Sequence, residues 1–419
     1  MTEAFLKRFS LTASCYDMAL EASRFGEEMQ RGLAGEKSSL FMIPTFLSPE
    51  AGQIADQTVI VLDAGGTNLR VGRVTFRGGA VADAEFEKCP LPGTERELTC
   101  DEFFDAVAEK LAPYLDCGDK IGFCFSYAAQ CMENGDAALV AFCKEVKVTG
   151  AEGVHICKAL KEAIRRRGVK KEFRFVQLND TVASQLGGMS QSDRSLYGNY
   201  IGFILGTGLN ACYTEKTGNI TKYRGTLYRA PEMIVNMEAG CYAGFAKGEI
   251  DRRIDCASAI PGDHQAEKMM SGAYLGKILC EALREAHREG LFASAIPDGV
   301  SEIFMPDVNK FLAGDKSMLD TLRMDRSDIS LCRAVIEALY GRTARLMASI
   351  FTAVALHTAP EKKELCVVLE GSTYQKSPLL QEKLAAELET AEKLSGCRFT
   401  VMQAKDPTIS GSAYAAVSN

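Results

Sequence analysis

Residues 59–76, Val-Ile-Val-Leu-Asp-Ala-Gly-Gly-Thr-Asn-Leu-Arg-Val-Gly-Arg-Val-Thr-Phe, constrain the fold more than any other stretch of the chain. A β-branched run ends in Asp63, turns through Gly65 and Gly66, and resumes as an alternating strand, which is the pattern of a β-hairpin. Glycines without a Cβ let anionic oxygens approach backbone N–H groups, and Thr67 and Asn68 add side-chain donors. Asp63, where the first strand ends, suits a hydrated divalent cation rather than a phosphate. The turn therefore reads as a holder of a nucleotide's phosphates and its metal. The same residues also make an ordinary glycine hairpin, and nothing inside the segment chooses between the two.

The chain has 419 residues, 47% hydrophobic and 25% charged, enough for two domains with sizeable cores. A net charge of −7 argues against nucleic-acid binding but leaves room for a small anion in a locally basic cleft. The 15 cysteines are scattered without any C-x-x-C, and Cys124, Cys212, Cys280 and Cys366 sit in apolar runs. Cysteine used as a small hydrophobe fits a reducing compartment. His155, His264, His287 and His357 are too dispersed to suggest a histidine metal site. The longest apolar stretch, Leu346 to Leu356, is too short to span a bilayer. Residues 1–20 mix acids with bases, unlike a transit peptide. A cytoplasmic location without a membrane partner is expected.

Residues 1–35 read as helical, and Pro44 and Pro49 mark an irregular connection before the strand at 59. Beyond the hairpin the order is helix (101–115), strand (121–126), helix (about 151–167) and strand (173–178). That alternation predicts a mixed sheet covered by helices. A second series has strands at 200–205 and 210–214, helices at about 265–288 and 330–357, strand 365–370, helix 377–394 and strand 398–402. Leu62-Asp-Ala-Gly-Gly-Thr-Asn-Leu and Leu205-Gly-Thr-Gly-Leu-Asn-Ala each place a Gly/Thr turn after a buried strand, one in each half.

Phe175-Val-Gln-Leu-Asn-Asp-Thr runs a strand into Asn179 and Asp180. A carboxylate there can take a proton from a substrate hydroxyl, but Asn-Asp-Thr is equally helix-capping chemistry. Gly206-Thr207-Gly208 offers a second phosphate-facing turn or a plain hairpin. Glu238, Glu267 and Lys144, taken singly, read as surface charges, and Arg165-Arg166-Arg167 as the solvated end of an amphipathic helix. P-loop, G-x-S-x-G and protein-kinase signatures are lacking.

Taken in order, the segments resemble the hexokinase family of the actin-like sugar-kinase superfamily. The resemblance runs from about residue 25 to the C-terminus. It begins with Glu28-Met-Gln-Arg-Gly-Leu-Ala, Ser38-Ser-Leu-Phe-Met-Ile-Pro-Thr and Leu62-Asp-Ala-Gly-Gly-Thr-Asn-Leu-Arg. Gly122-Phe-Cys-Phe-Ser-Tyr, Thr149-Gly-Ala-Glu-Gly, Leu178-Asn-Asp-Thr-Val and Gly206-Thr-Gly-Leu-Asn-Ala-Cys-Tyr follow. Glu267-Lys-Met-Met-Ser-Gly-Ala-Tyr-Leu-Gly and Glu370-Gly-Ser-Thr-Tyr close the series.

The resemblance implies an α/β fold of two actin-like (ribonuclease H-like) domains, with mixed sheets flanked by helices and a ligand cleft between them. Residues 1–54 would be an N-terminal helical segment packing with the large domain, 55–181 the small domain and 182–419 the large one. The last helix could return to the small domain. The implied activity is ATP-dependent transfer of the γ-phosphate to the 6-hydroxyl of glucose or a related hexose, with Mg²⁺. Asp180 would accept the hydroxyl proton, with Lys144 near the transferring phosphate. Ser126, Cys143, Lys144, Asn179, Asp180, Asn210, Glu238 and Glu267 would bind the sugar. Asp63, Gly65, Gly66, Thr67, Asn68, Arg70 and Thr207 would hold phosphates, with Asp63 reaching Mg²⁺ through water. Gly371 and Ser372 would line the adenosine.

Three departures cluster on the sugar side. Phe142-Cys143-Lys144-Glu145 stands where the family usually has Trp-Thr-Lys-Gly, so a weak S–H donor replaces a hydroxyl. Ala128 replaces a usual proline, and Ala239 a common tryptophan. They bear on which hexose is preferred, and leave open a kinase for another sugar or a catalytically weak sugar sensor. The C-terminal Asp406-Pro-Thr-Ile-Ser-Gly-Ser-Ala reads as a turn poorer in glycine than is usual. Oligomeric state is not legible.

Overall fold

The computed structural model describes residues 1–50, 54–142, 146–223, 225, 228–297 and 299–418. The chain divides into two compact units, each assembled from separate stretches of sequence. One, here the hairpin unit, takes Met42–Ser195, Cys212–Asn236 and Met402–Asn419. The other, the long-helix unit, takes Met1–Phe41, Leu196–Ala211 and Met237–Val401.

The hairpin unit is built on a five-stranded sheet in the order Arg174–Leu178, Lys120–Phe125, Gln57–Gly65, Asn68–Arg77, Ala80–Pro90. The first three strands are parallel and the last three antiparallel. Residues 59–62 are fully buried because alternate side chains enter two different cores. Ile60 and Leu62 pack with Phe103, Val107, Leu160 and Ile164 of helices Cys100–Leu111 and Ile156–Arg166. Val59 and Val61 pack with Ile409, Ala413 and Ala416 of helix Pro407–Ser418. The edge strand Ala80–Pro90 is largely exposed and carries Asp83, Glu85, Glu87 and Lys88, charges that discourage pairing with another chain.

The C-terminal segment read as a turn is therefore the start of a helix. Ile409, Ala413 and Ala416 fall on one face at helical spacing, and alanine favours helix. Its small residues are needed for close approach: a Cβ on Gly411 would stand 1.8 Å from the carbonyl oxygen of Ala183 in helix Asp180–Ser190. The Arg165–Arg167 run is exposed and pairs with Glu172 and Asp105 on the surface.

In the long-helix unit, strands Asn199–Leu205 and Glu364–Glu370 run parallel, with Tyr200 opposite Cys366. Helices Met18–Ala34 and Pro378–Ser395 pack against the 33-residue helix Arg326–Thr358. Inside the unit Arg342 is completely buried; its Nη1 meets both carboxylate oxygens of Asp251 at 3.0 and 2.9 Å, and its Nη2 donates to Met269 O. The helical N-terminus resolves into Thr2–Arg8 and Met18–Ala34 with a short 3₁₀ turn between. The single helix expected over 265–288 is two, Gln265–Met270 and Gly272–Arg288, broken where Ser271 is extended. Strand Leu209–Lys216 carries the chain from this unit into the hairpin unit, where Cys212–Lys216 pairs antiparallel with Glu232–Asn236.

Candidate functional site

In the hairpin unit the glycine turn sits where three strand ends meet. Gly65 pairs with Asn68, leaving Gly66 and Thr67 at the tip, and Gly66 has φ +53°, which a side chain would disfavour. Two contacts hold the tip. Leu91 N donates to Thr67 O at 2.9 Å, and the Tyr127 hydroxyl donates to Gly66 O. Tyr127 has no role in the sequence reading, although it directly follows the Ser126 of a quoted motif.

Asp63 lies opposite Cys124, and Cys124 opposite Leu178, so three parallel strands end together. Ser126 and Asp180 each lie two residues further on, beyond the carboxyl ends of the strands, where open α/β sheets bind ligands. Asp63 is buried. Its Oδ2 accepts from Arg70 Nε at 2.9 Å and from Thr408 Oγ1 at 2.8 Å. Arg70 also reaches Asp406 at 3.5 Å, so its guanidinium buttresses the aspartate from behind. Oδ1 faces the other way: a Cβ on Gly65 would stand 3.5 Å from both this oxygen and Ser126 Oγ. A carboxylate oxygen that neither Arg70 nor Thr408 engages suits Mg²⁺, which keeps most of its waters and takes few protein ligands.

The capping question at Asn179-Asp180 has a definite answer. Asn179 is the N-cap and Asp180 the first helical residue; both side chains accept from Thr181 N, at 2.9 and 2.8 Å. The positive end of the helix dipole there favours a negative group. Burial pushes the Cys124 thiol well above its ordinary range, with the charges of Asp63 and then Asp180 adding to the effect. Both carboxylates thus act on one buried thiol. Cys143 and Lys144 lie outside the described residues.

In the long-helix unit Asn210, Glu238 and Glu267 come together. Asn210 Nδ2 donates to Glu238 Oε1 at 3.5 Å, while Asn210 Oδ1 accepts from Ala239 N at 3.2 Å. Leu209 N donates to Glu267 Oε2 at 3.0 Å. Glu238 adopts φ +54°, a left-handed conformation that costs a non-glycine residue about 1–3 kcal/mol and marks a place where side-chain direction matters. Burial raises the Cys241 thiol to about 12, helped by the charges of Glu238, Asp263 and Glu267.

The second glycine turn lies in the same unit. Gly206 N donates to Gly208 O, and Gly206 O accepts from both Gly272 N and Thr373 Oγ1 at 2.8 Å. Ala273 N donates to Thr207 O at 3.3 Å. The helix break at Ser271 is what frees these two N–H groups for the turn. A Cβ on Gly206 would lie 3.6 Å from Gly371 Cα and 3.7 Å from Ser372 N, so Gly206, Thr207, Gly371 and Ser372 gather at one place. Thr373 is the member of this group that the sequence reading passed over.

The two hexokinase family models match residues 1–189 and 200–418. The chain is 31% identical over 386 residues to hexokinase-1 of Nicotiana tabacum, covering 83% of this chain and 75% of that protein. It is 30% identical over 397 residues to hexokinase-1 of Schizosaccharomyces pombe, covering 86% and 79%. Among solved structures, a Schistosoma mansoni hexokinase complexed with glucose superposes with a TM-score of 0.82 at 24% identity, covering 100% of this chain and 99% of that one. The fold and these matches define an α/β phosphotransferase that acts on an alcohol group. The chain belongs to the hexokinase family. Its activity is the phosphorylation of a hexose with ATP as phosphate donor.

Proposed function

We propose that the chain transfers the γ-phosphate of Mg²⁺-bound ATP to the 6-hydroxyl of glucose or a close relative, with Asp180 as the base. The observation that carries this reading is that Asn210 donates to Glu238 while Glu267 accepts from the N–H of Leu209, next to Asn210 in the chain, with Glu238 held at φ +54°. Carboxylates fixed by backbone and amide donors present acceptors in set directions, as recognition of a sugar's ring hydroxyls requires. Glucose is the first choice because the Schistosoma mansoni hexokinase was solved with it.

Phosphoryl transfer needs an in-line nucleophile and neutralised phosphate charge. Asp180 would take the proton of the attacking hydroxyl, with Asn179 beside it on the sugar. Asp63 would hold hydrated Mg²⁺ through Oδ1, and the metal would draw charge from the phosphate oxygens. Gly65, Gly66, Thr67, Asn68 and Thr207 would meet the phosphates, with Arg70 keeping Asp63 in place. Gly371 and Ser372 would line the adenosine, and Ser126, Cys143 and Lys144 would complete the sugar contacts; the last two rest on sequence alone. A cytoplasmic setting is supported by the described cysteines, all free thiols. No described helix is long and apolar enough to cross a membrane.

The test is coupled ADP release with glucose, mannose, fructose, glucosamine and N-acetylated hexoses. Glucose should give the highest kcat/KM. If an N-acetylated hexose is preferred, the glucose assignment falls. If no hexose raises ADP release above ATP hydrolysis, the kinase reading falls with it.

A further inference from the structure

Within the long-helix unit, Cys241, Asp263 and His264 bring a sulfur, a carboxylate oxygen and a ring nitrogen to within 4.8 Å of one another. Cys241 ends the 3₁₀ turn Ala239–Cys241 that follows Glu238. Asp263 and His264 directly precede the helix Gln265–Met270 that carries Glu267. Ala266 N donates to Tyr242 O at 2.9 Å, pinning the two segments side by side.

The loop carrying Asp263 and His264 is itself fixed. Lys268 Nζ donates to Asp255 Oδ1 and to Ile260 O, both at 2.6 Å, and Gly262 N donates to Asp255 Oδ1 at 3.0 Å. His264 is held in the left-handed region at φ +48°. Its Nδ1 is buried without a hydrogen-bond partner among the described residues, and Asp263 Oδ1 stands 3.6 Å away. A buried ring nitrogen left unsatisfied is costly unless something binds it. Cys241 is 7% exposed, whereas Asp263 is exposed and gives an ion a way in.

We propose that Cys241, Asp263 and His264 form a binding site for a borderline-soft divalent cation of the Zn²⁺ class. Sulfur, imidazole nitrogen and carboxylate oxygen are the donors zinc takes, and three protein ligands leave a fourth position for water. Calcium and magnesium, which prefer oxygen, are poorly served here. Binding expels the thiol proton to solvent and closes the three ligands to bonding distance. The ion would tie the turn bearing Glu238 to the helix bearing Glu267 and draw their carboxylates toward itself. It would thereby oppose sugar binding, a consequence that rests on the sugar-site reading above, whereas the metal site does not.

The test uses the full chain, stripped with chelator and titrated with Co²⁺. One equivalent should produce a thiolate-to-cobalt charge-transfer band and four-coordinate visible bands, both erased by Zn²⁺. Cys241→Ser should abolish the charge-transfer band, and His264→Ala should weaken binding about tenfold or more. Cys256→Ser, which removes an exposed thiol nearby in sequence, should change neither. A wild-type protein without the band, or a band that survives in Cys241→Ser, overturns the site. Calorimetry without nucleotide then reads the coupling: one equivalent of Zn²⁺ should weaken glucose binding about tenfold, the worth of one hydrogen bond to a charged group. Unchanged glucose affinity overturns the coupling. If the metal-free chain binds no glucose, the sugar reading fails while the cobalt spectrum still decides the site.

Discussion

Cys124 stands directly opposite Asp63 on the neighbouring parallel strand, and after burial the charge of Asp63 is the largest influence raising the thiol's pKa. With its ionisation pushed well upward, the thiol stays protonated at neutral pH, a neutral S–H donor beside the carboxylate that would hold the metal. Cys124→Val keeps the volume but removes the donor. Losing this weak donor beside Asp63 should raise the KM for MgATP about 2- to 10-fold, with the KM for glucose unchanged. Cys124→Thr, which restores a donor, should recover most of the loss. Equal KM values in the valine variant and wild type would show that the thiol does not position Asp63.

Asp180→Asn keeps the shape and an acceptor for the N–H of Thr181 but cannot take a proton. The expected result is a fall in kcat of about 10² to 10⁴ with glucose affinity little changed. Steady-state kinetics and calorimetry on the same preparation separate the two effects. A kcat near wild type would place the base elsewhere.

How far these features were legible in the sequence depended on what each rests upon. The hairpin was legible because a β-branched run meeting Gly-Gly has few alternatives; its strands span Gln57–Gly65 and Asn68–Arg77 against an expected 59–76. Strand Arg398–Met402 likewise falls where expected. The break at Ser271 was hidden because apolar periodicity continues through it, while its cause is tertiary: Gly272 N turns to Gly206 O instead of continuing the helix. The start of the C-terminal helix was hidden by Asp-Pro-Thr and Ser-Gly, which imitate turn chemistry, whereas Gly411 serves close contact with Ala183; a last helix followed only from the resemblance. In sequence Cys124 looks only like a small hydrophobe, since its neighbour Asp63 follows from strand register. The grouping of Asn210, Glu238 and Glu267 came from the ordered resemblance, because residues so far apart in sequence carry no local signal of contact.

Acid should loosen the long-helix unit at Asp328. This buried carboxylate accepts from Ala293 N and Ser294 N, both at 2.8 Å. Burial would raise its pKa, but hydrogen bonds from Ser294 and Ala293 and the nearby His287 charge outweigh it, and the net shift is downward. A depressed native pKa contributes stability that is fully present above the unfolded value of about 3.9 and is lost as pH falls through the native one. Asp328→Asn should therefore be less stable than wild type at pH 7, by about 1.5–3 kcal/mol, and the difference should close on acidification below about pH 4. Thermal melts of both proteins across that range read it directly. A gap independent of pH would mean that the carboxylate's charge contributes nothing there.

The last helix connects to the proposed base through Gly411. A Cβ at this position would lie 1.8 Å from Ala183 O and 2.7 Å from Ala183 C, backbone atoms that no rotamer change can move. Helix Pro407–Ser418 must then lift away or push helix Asp180–Ser190, whose first residue is Asp180. Gly411→Ala should lower stability by about 1–3 kcal/mol, as overpacking does, and Gly411→Val by more. The informative readout is kcat in the alanine variant at a temperature where it remains folded. A displacement of Asp180 by about 1 Å should cost up to about 10² in kcat, because attack and proton removal both depend on alignment. The KM for glucose should move less, since Asn179 is the one proposed sugar contact at the displaced helix end while Asn210, Glu238 and Glu267 belong to the other unit. A destabilised variant with full kcat would show that the helix supports the fold without positioning the base, and an unchanged melting temperature would deny the close contact itself.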